Sequence, residues 1–297
     1  GSEGGLSWYV QEAAMGLRYV VAVGQEATQE GIRMVVTVTS TDDAKDPLAL
    51  AKQRVRKTLA ASRSKIQQRH EAWWSRFWGA SDVQLPEHHL QQHYMLVRYF
   101  YGAASRTGAP PMPLQGVWTA DSGFLPPWKG DYHNDLNTQM TYMGYQAAGQ
   151  FDAGLSYLEF LWDRRERFRR FAREFYATDG LSTPGVMTLA GEPLGGWVMY
   201  SLSPTMTAWS AHLFYLHWRY TGDDRYLRTR AYPFCREAAI CIEQLLKPDP
   251  TGRLVLPTSS SPEIFDNSNR AWMKPNTKDA INRPTRPEAK RDVMTIS

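Results

Sequence analysis

Carboxylate, imidazole and amide side chains recur at every second position between Asp131 and Gln139. Asp131, His133, Asp135, Asn137 and Gln139 take every second position, with Tyr132, Asn134, Leu136 and Thr138 between them and Met140 after. Side chains two apart share one face of an extended segment, whereas a helix would scatter them. An extended reading therefore predicts a wall of two carboxylates, an imidazole and two amides. Such a wall suits a polyhydroxylated ligand, which needs many fixed donors and acceptors. The same alternation also describes a solvated strand face, and Asp131 would equally suit a helix cap. Trp118, Trp128 and Tyr132 beside the run favour the ligand reading, because aromatic platforms next to polar rows commonly hold sugars.

Elsewhere the pattern divides the chain. Residues 17–23 (LRYVVAV) and 32–39 (IRMVVTVT) are rich in β-branched side chains and predict strands joined by a turn. Two or three strands are not stable alone, so a partner surface or a preceding part of a β domain is expected to cover them. Asp46-Pro47 opens a helix predicted over 47–77, with Leu48, Ala51, Val55, Leu59 and Ile66 near helical spacing. It reads as a linker helix, docked at its end by the aromatic cluster from Trp73 to Trp78. Beyond Pro86 the spacing predicts helices over 87–106, 139–150, 153–176, 205–221 and 231–247. Proline- and glycine-rich loops separate them, notably 110–113, 126–127, 185–196 and 248–257. Helices alternating with long aromatic loops predict an α-helical toroid whose site is built from loops at one end. From Thr277 onward apolar periodicity fades, and Pro284 and Pro287 break any helix.

Composition narrows the function class. The 297 residues are 42% hydrophobic and 22% charged, an ordinary globular balance. A net charge of +4 and a pI near 9.0 approach the nucleic-acid range, but the basic residues are dispersed. Arg164-Arg165 and Arg167 to Arg170 alternate with Glu and apolar residues, as on a solvated helix face. No nucleic-acid partner is expected, and no membrane partner, since no apolar run is long enough to span a bilayer. The 11 Trp, 15 Tyr and 11 Phe are compatible with a carbohydrate cleft or with a large helical core. Cys235 and Cys241 sit six apart in a predicted helix and point in different directions, which argues against a disulfide between them. No signal peptide is visible, and Gly1-Ser2 looks like an expression remnant. No metal or cofactor motif stands out.

A second constellation is Ser261-Pro262-Glu263 at the end of a Ser-rich loop. A loop carboxylic acid walled by aromatics can have its pKa raised by desolvation and serve as a general acid. The plainer alternative is a loop carboxylate capping the next helix.

Taken together, several stretches in order resemble the catalytic module of glycoside hydrolase family 95, the inverting α-L-fucosidase group. They are His70-Glu71-Ala72-Trp73-Trp74 with Phe77-Trp78, Pro113-Leu114-Gln115-Gly116-Val117-Trp118, and Pro127-Trp128 through Met140. Ala208-Trp209 with His212, Tyr220-Thr221-Gly222-Asp223, Tyr232-Pro233 and Ser261-Pro262-Glu263 complete the series. The resemblance implies a mainly α chain: residues 1–45 as the last strands of a β-sandwich domain, 46–80 as a linker helix and 81–276 as part of an (α/α)6 barrel. Residues 277–297 are expected to be a disordered or non-native tail. It also implies roles. Glu263 would protonate the leaving oxygen, and Asp135 or Asn137 would position or activate water. His133, Trp118, Trp128, Gln139, Trp209 and His212 would shape the sugar subsite. An oligosaccharide or polysaccharide substrate follows, as does a periplasmic or secreted setting; the resemblance says nothing of oligomeric state.

The chain departs from the family pattern at Asp135, where the pattern has Asn. A carboxylate there is a candidate base, or a ligand for a sugar other than fucose. Paired with Glu263 it would need roughly 6.5–9.5 Å of separation to admit a water and invert the anomeric centre. A full barrel has twelve helices and about five or six are predicted here, so a truncated or frame-shifted product, or a deliberate fragment, is expected. The leading reading is hydrolysis, by inversion, of an α-linked deoxy- or L-sugar of the α-L-fucoside kind. The alternative is a catalytically inactive, carbohydrate-binding remnant. A phosphorylase of the same barrel class ranks below both, since no phosphate-binding loop is visible.

Overall fold

The computed structural model describes residues 1–13, 16–29, 31–116, 130–194 and 203–256. Trp118, Trp128, Glu263 and the 277–297 tail lie outside the described residues. The chain divides into two compact units, Gly1–Arg76 and Phe77–Ser297.

In the first unit the two predicted strands form and extend further than expected, as β3 (Arg18–Thr28) and β4 (Gly31–Ser40). They continue an antiparallel meander begun by β1 (Ser2–Glu3) and β2 (Leu6–Glu12), which the sequence pattern did not single out. The register pairs Leu6 with Gly24, Trp8 with Ala22 and Val10 with Val20. It continues as Gly24 with Val35, Ala22 with Thr37 and Val20 with Thr39. This face packs under α1 (Pro47–Ala60), whose Ala51 and Val55 are buried with Leu6, Val20 and Ala22. Burying each of Leu6, Val20 and Val55 contributes roughly 1.5–3 kcal/mol, and each alanine methyl less. Gly24 is required by that approach: a Cβ there would lie 2.4 Å from Val55 Cγ1 and 2.9 Å from Leu59 Cδ1. On β4, Ile32, Met34, Val36 and Val38 face the other way and are exposed.

Asp46 caps α1 by accepting from the Ala49 amide at 3.0 Å, with Pro47 in the first turn. The single helix predicted over 47–77 is in fact two. Arg33, on β4, donates to the carbonyls of Thr58 (2.7 Å), Leu59 (3.0 Å) and Ala61 (3.0 Å). Those carbonyls are thereby satisfied without another helical turn. Ala61 is extended, and α2 (Arg63–Gly79) starts afresh.

The second unit opens with α3 (His88–Ala104), capped by Glu87 on the amides of His89 and Leu90. Buried Arg98 donates to the Trp78 carbonyl at 3.0 Å. Next come β5 (Tyr132–His133), α4 (Asn137–Thr141), α5 (Phe151–Asp163), α6 (Arg165–Phe171) and a π-helical turn over Ala172–Tyr176. Then follow β6 (Val186–Met187), α7 (Thr205–Thr221), a second π-helical turn over Leu227–Ala231, and α8 (Tyr232–Leu245). A short hairpin, Lys247–Pro248 with Leu254–Val255, closes the described part. The helix predicted over 139–150 is only the five-residue α4 followed by turns, and that predicted over 153–176 is broken at Arg164.

The core of this unit is aromatic. Phe214 of α7 stacks on Phe234 of α8 at 4.2 Å, and Tyr142 on Tyr157 of α5 at 4.9 Å. Gly154 admits the Tyr145 ring, which would lie 2.3 Å from a Cβ at that position. Both cysteines are free: the Cys235 thiol lies 3.2 Å from the Ala211 carbonyl, and Cys241 lies 3.1 Å from Thr178 Oγ1. Three arginines of α6 pair with carboxylates, Arg167 and Arg170 with Glu192 and Arg169 with Glu166 and Glu237.

Candidate functional site

The alternating run starts as an extended segment. Tyr132 pairs with Met187 and His133 with Val186 across the β5–β6 ladder. The Leu114 amide donates to the Asp131 carbonyl (3.1 Å), and the Asn134 amide donates to the Gly185 carbonyl (2.7 Å). With the backbone held in this way, successive side chains part to opposite sides. Tyr132 packs on Phe160 at 4.7 Å and donates its hydroxyl to the Pro111 carbonyl at 2.9 Å. Asn134 donates to the Pro184 carbonyl and accepts from the Tyr157 hydroxyl, both at 3.1 Å. Burial holds the Tyr157 hydroxyl well above its ordinary pKa, so it remains a donor.

The other side carries Asp131, His133 and Asp135 together. Asp131 Oδ1 lies 3.0 Å from His133 Nε2, and Asp135 Oδ1 lies 3.6 Å from His133 Nδ1. Side-chain exposures are 12% for Asp131, 4% for His133 and 0% for Asp135. Two carboxylates thus approach one imidazole from its two nitrogens, in the period-two order of the sequence.

The wall does not run on to Gln139. At Leu136 the chain leaves the extended course, and α4 begins at Asn137. Asn137 is half-buried at the first position of that helix. Gln139 is fully buried, and its amide donates to the Asn134 carbonyl and, at 3.5 Å, to Ser210 Oγ of α7. The expectation of a single five-membered extended face is therefore corrected. Three members form a row, and the two amides sit on a helix because its hydrogen bonds take over where the β6 ladder ends.

The remaining predicted residues are distributed along α7. Trp209 is half-buried beside Ser210. His212 is exposed, stacked on Tyr215 with ring centroids 6.1 Å apart. It lines an apolar groove of about 440 Å³ between α7 and α8, with Cys235, Ala238 and Ile242. A separate cavity of about 680 Å³ lies between α3 and residues 112–116, lined by Tyr94, Tyr101, Met112, Leu114 and Gln115.

Two buried groups were missed from sequence. Asn134 looked like a spacer, yet it ties β5 to residue 184 and to α5. His217, in α7, is buried with Nδ1 3.0 Å from the Tyr145 hydroxyl. Burial lowers its pKa to about 4, against a smaller opposing pull from Asp223. No group of three or more His, Cys, Asp or Glu side chains suited to a metal occurs among the described residues. None of the described helices is long and apolar enough to cross a membrane.

The model of the glycosyl hydrolase family 95 catalytic domain matches residues 46–281. The chain belongs to this family. Similar proteins include "Probable alpha-fucosidase A" of Aspergillus niger, 30% identical over 177 residues, covering 56% of this chain and 21% of that protein. "Alpha-L-fucosidase 2" of Arabidopsis thaliana is 26% identical over 168 residues, covering 56% of this chain and 20% of its own. The chain thus spans about a fifth of the length of these family 95 relatives. A solved structure from the human microbiome, named as a candidate kojibiose phosphorylase, superposes with a TM-score of 0.71 at 11% identity. It covers 88% of this chain and 38% of that one, and at that identity it bears on fold alone. The mainly α reading holds, with the second unit as part of an (α/α)6 barrel of the family 95 kind.

Proposed function

We propose that this chain carries part of the hydrolytic site of an inverting glycosidase acting on an α-L-fucoside-like bond in an oligosaccharide. The observation that carries the reading is the Asp131–His133–Asp135 row, formed on a family 95 segment that continues directly into Asn137. The names of the fucosidase relatives support the sugar class.

In this reading Glu263 is the general acid that protonates the leaving oxygen. Asp135 accepts the proton of the attacking water, and Asn137, at the start of α4, orients that water. His133 contacts the sugar, Trp118 and Trp128 supply apolar platforms, and Trp209 borders the subsite. Gln139 supports it from within, by holding the Asn134 carbonyl. His212 faces the groove between α7 and α8 and is assigned to a more distant part of the glycan. A secreted or periplasmic enzyme is the setting that fits an oligosaccharide substrate.

A panel of aryl α-glycosides that includes the L-fucoside and the L-galactoside tests this on the 297-residue chain. Glu263→Gln is expected to lower turnover by about 10²–10⁴-fold while sugar binding survives. Full activity in that variant would sink the assignment. A second reading, glycan binding without turnover, is favoured by one observation: the Asp135 side chain is wholly buried against His133. Tryptophan fluorescence quenched by sugar in a chain that hydrolyses none of the panel would establish it.

A further inference from the structure

We propose that the cavity between α3 and residues 112–116 binds a carboxylate-bearing sugar residue, a hexuronate, with Arg98 as the group that meets its carboxylate. The inference rests on the reading of the chain as one that takes an oligosaccharide, and it adds an acidic unit to that glycan. Arg98 is buried at 2% exposure and lines this cavity of about 680 Å³. A guanidinium carries five N–H donors and keeps its charge. Here Nη2 donates to the Trp78 carbonyl at 3.0 Å and reaches the Phe77 carbonyl at 3.5 Å. Nε is enclosed and meets no acceptor. No carboxylate pairs with Arg98 among the described residues.

The charge on Arg98 is therefore met only in part. Phe77 and Trp78 belong to the last turn of α2, and the carbonyl end of a helix amounts to roughly half a negative charge. The Trp78 and Tyr94 rings, centred 5.0 and 5.6 Å from Cζ, add a weaker cation–π attraction. A buried cation is costly until a full counter-charge faces it. The cavity has room for one. Tyr94, beside the guanidinium, also lines it, together with Tyr101 and Met112. Such walls suit the C–H face of a sugar ring, and a carboxylate on that ring gives Arg98 a charge-assisted bond. The volume falls within the usual range for small-molecule sites. The cavity also shares two segments with the candidate site. Leu114 lines it, and the Leu114 amide donates to the Asp131 carbonyl at 3.1 Å. Met140 and Thr141 line it from α4, which begins at Asn137. A hexuronate held there is placed as a neighbouring unit or branch of the same glycan.

Isothermal titration calorimetry on the 297-residue chain tests this with trigalacturonate and with the same trisaccharide after its carboxylates are reduced to primary alcohols. The acid is expected to bind about tenfold more tightly than the neutral form, or better, as befits a hydrogen bond between charged groups. Arg98→Gln keeps a donor for the Trp78 carbonyl and is expected to abolish that preference. Gly144→Leu narrows the cavity without changing Arg98 and is expected to weaken the acid by about tenfold. A Cβ at 144 would meet only the Tyr101 hydroxyl, at an ordinary 3.6 Å, so this variant should fold even if Arg98→Gln does not. Circular dichroism checks both. Equal affinities for the acidic and neutral forms, or unchanged binding of the acid in Gly144→Leu, would overturn the proposal. A preference that survives in folded Arg98→Gln would place the carboxylate elsewhere and overturn it as well. If the acid binds as expected while no aryl α-glycoside is hydrolysed, the hydrolytic reading fails and the acidic subsite stands.

Discussion

His133 and His217 are buried to the same degree, at 3% and 4% exposure, yet their surroundings are opposite. His133 lies on a short strand between two carboxylates. His217 lies on α7 among rings: its Nδ1 meets the Tyr145 hydroxyl at 3.0 Å, and the Tyr226 and Phe151 rings are centred 4.5 and 5.8 Å away. Burial alone penalises a charged imidazole, and at His217 the opposing pull of Asp223 is smaller than that penalty. At His133 the neighbouring side chains are two carboxyl groups, with oxygens 3.0 and 3.6 Å from the ring nitrogens. A histidine in a core is therefore read from its neighbours and not from its depth. By that test His217 belongs to packing, and His133 suits the sugar-contacting role proposed for it above.

The largest effect should come from emptying the carboxylate pair. His133→Ala leaves Asp131 and Asp135 facing each other across a buried gap, and breaking a buried pair by removing one partner typically costs about 3–5 kcal/mol. Urea denaturation should show a loss near the lower end of that range, because Asp131 is partly exposed. Adding Asp135→Asn should recover part of the loss, since it removes one of the two neighbouring carboxylates. If the double variant is no more stable than the single one, the coupling assigned to His133 and Asp135 is wrong.

His217 should dominate a different axis, that of pH. Above pH 6.5 the ring is neutral in both the folded and unfolded chain, and it adds no pH dependence. As the pH falls below 6.5 the unfolded chain takes up a proton that the folded chain refuses until about pH 4. Stability from this residue therefore falls across that window, by at most about 3 kcal/mol. His217→Gln keeps a hydrogen-bonding side chain beside Tyr145 but cannot titrate. Its melting temperature should drop less than that of wild type between pH 7 and pH 4.5, and equal drops would refute the assignment.

What the sequence revealed follows the range of the forces involved. Strands β3 and β4 were legible from their β-branched runs, and α7 from its apolar spacing, down to its ends at 205 and 221. The Asp131–His133–Asp135 row was legible because the two-residue period acts through the local backbone. Its early end at Leu136 was not, because α4 competes for Asn137 and Gln139 through hydrogen bonds that no alternation encodes. The break between α1 and α2 was invisible for a similar reason. It depends on Arg33, brought from β4 onto carbonyls 25 to 28 residues later in the chain. His217 carried no warning at all, since its partners Tyr145 and Tyr226 come from outside α7 and its immediate neighbours are apolar.

The smallest of these effects sharpens the comparison most, because it removes one oxygen. Tyr145→Phe deletes the hydroxyl facing His217 Nδ1 and leaves both rings in place. Tyr145 is fully buried, with its hydroxyl held un-ionised by burial, so the change tests a neutral hydrogen bond. The expected loss is about 1 kcal/mol, the net worth of such a bond in a folded chain. It should be the same at pH 7 and at pH 8, where neither partner carries charge. A loss several times larger, or one that appears between those two pH values, would mean that Tyr145 and His217 share a charge. The division between a chemical and a packing histidine would then fail at its plainer end.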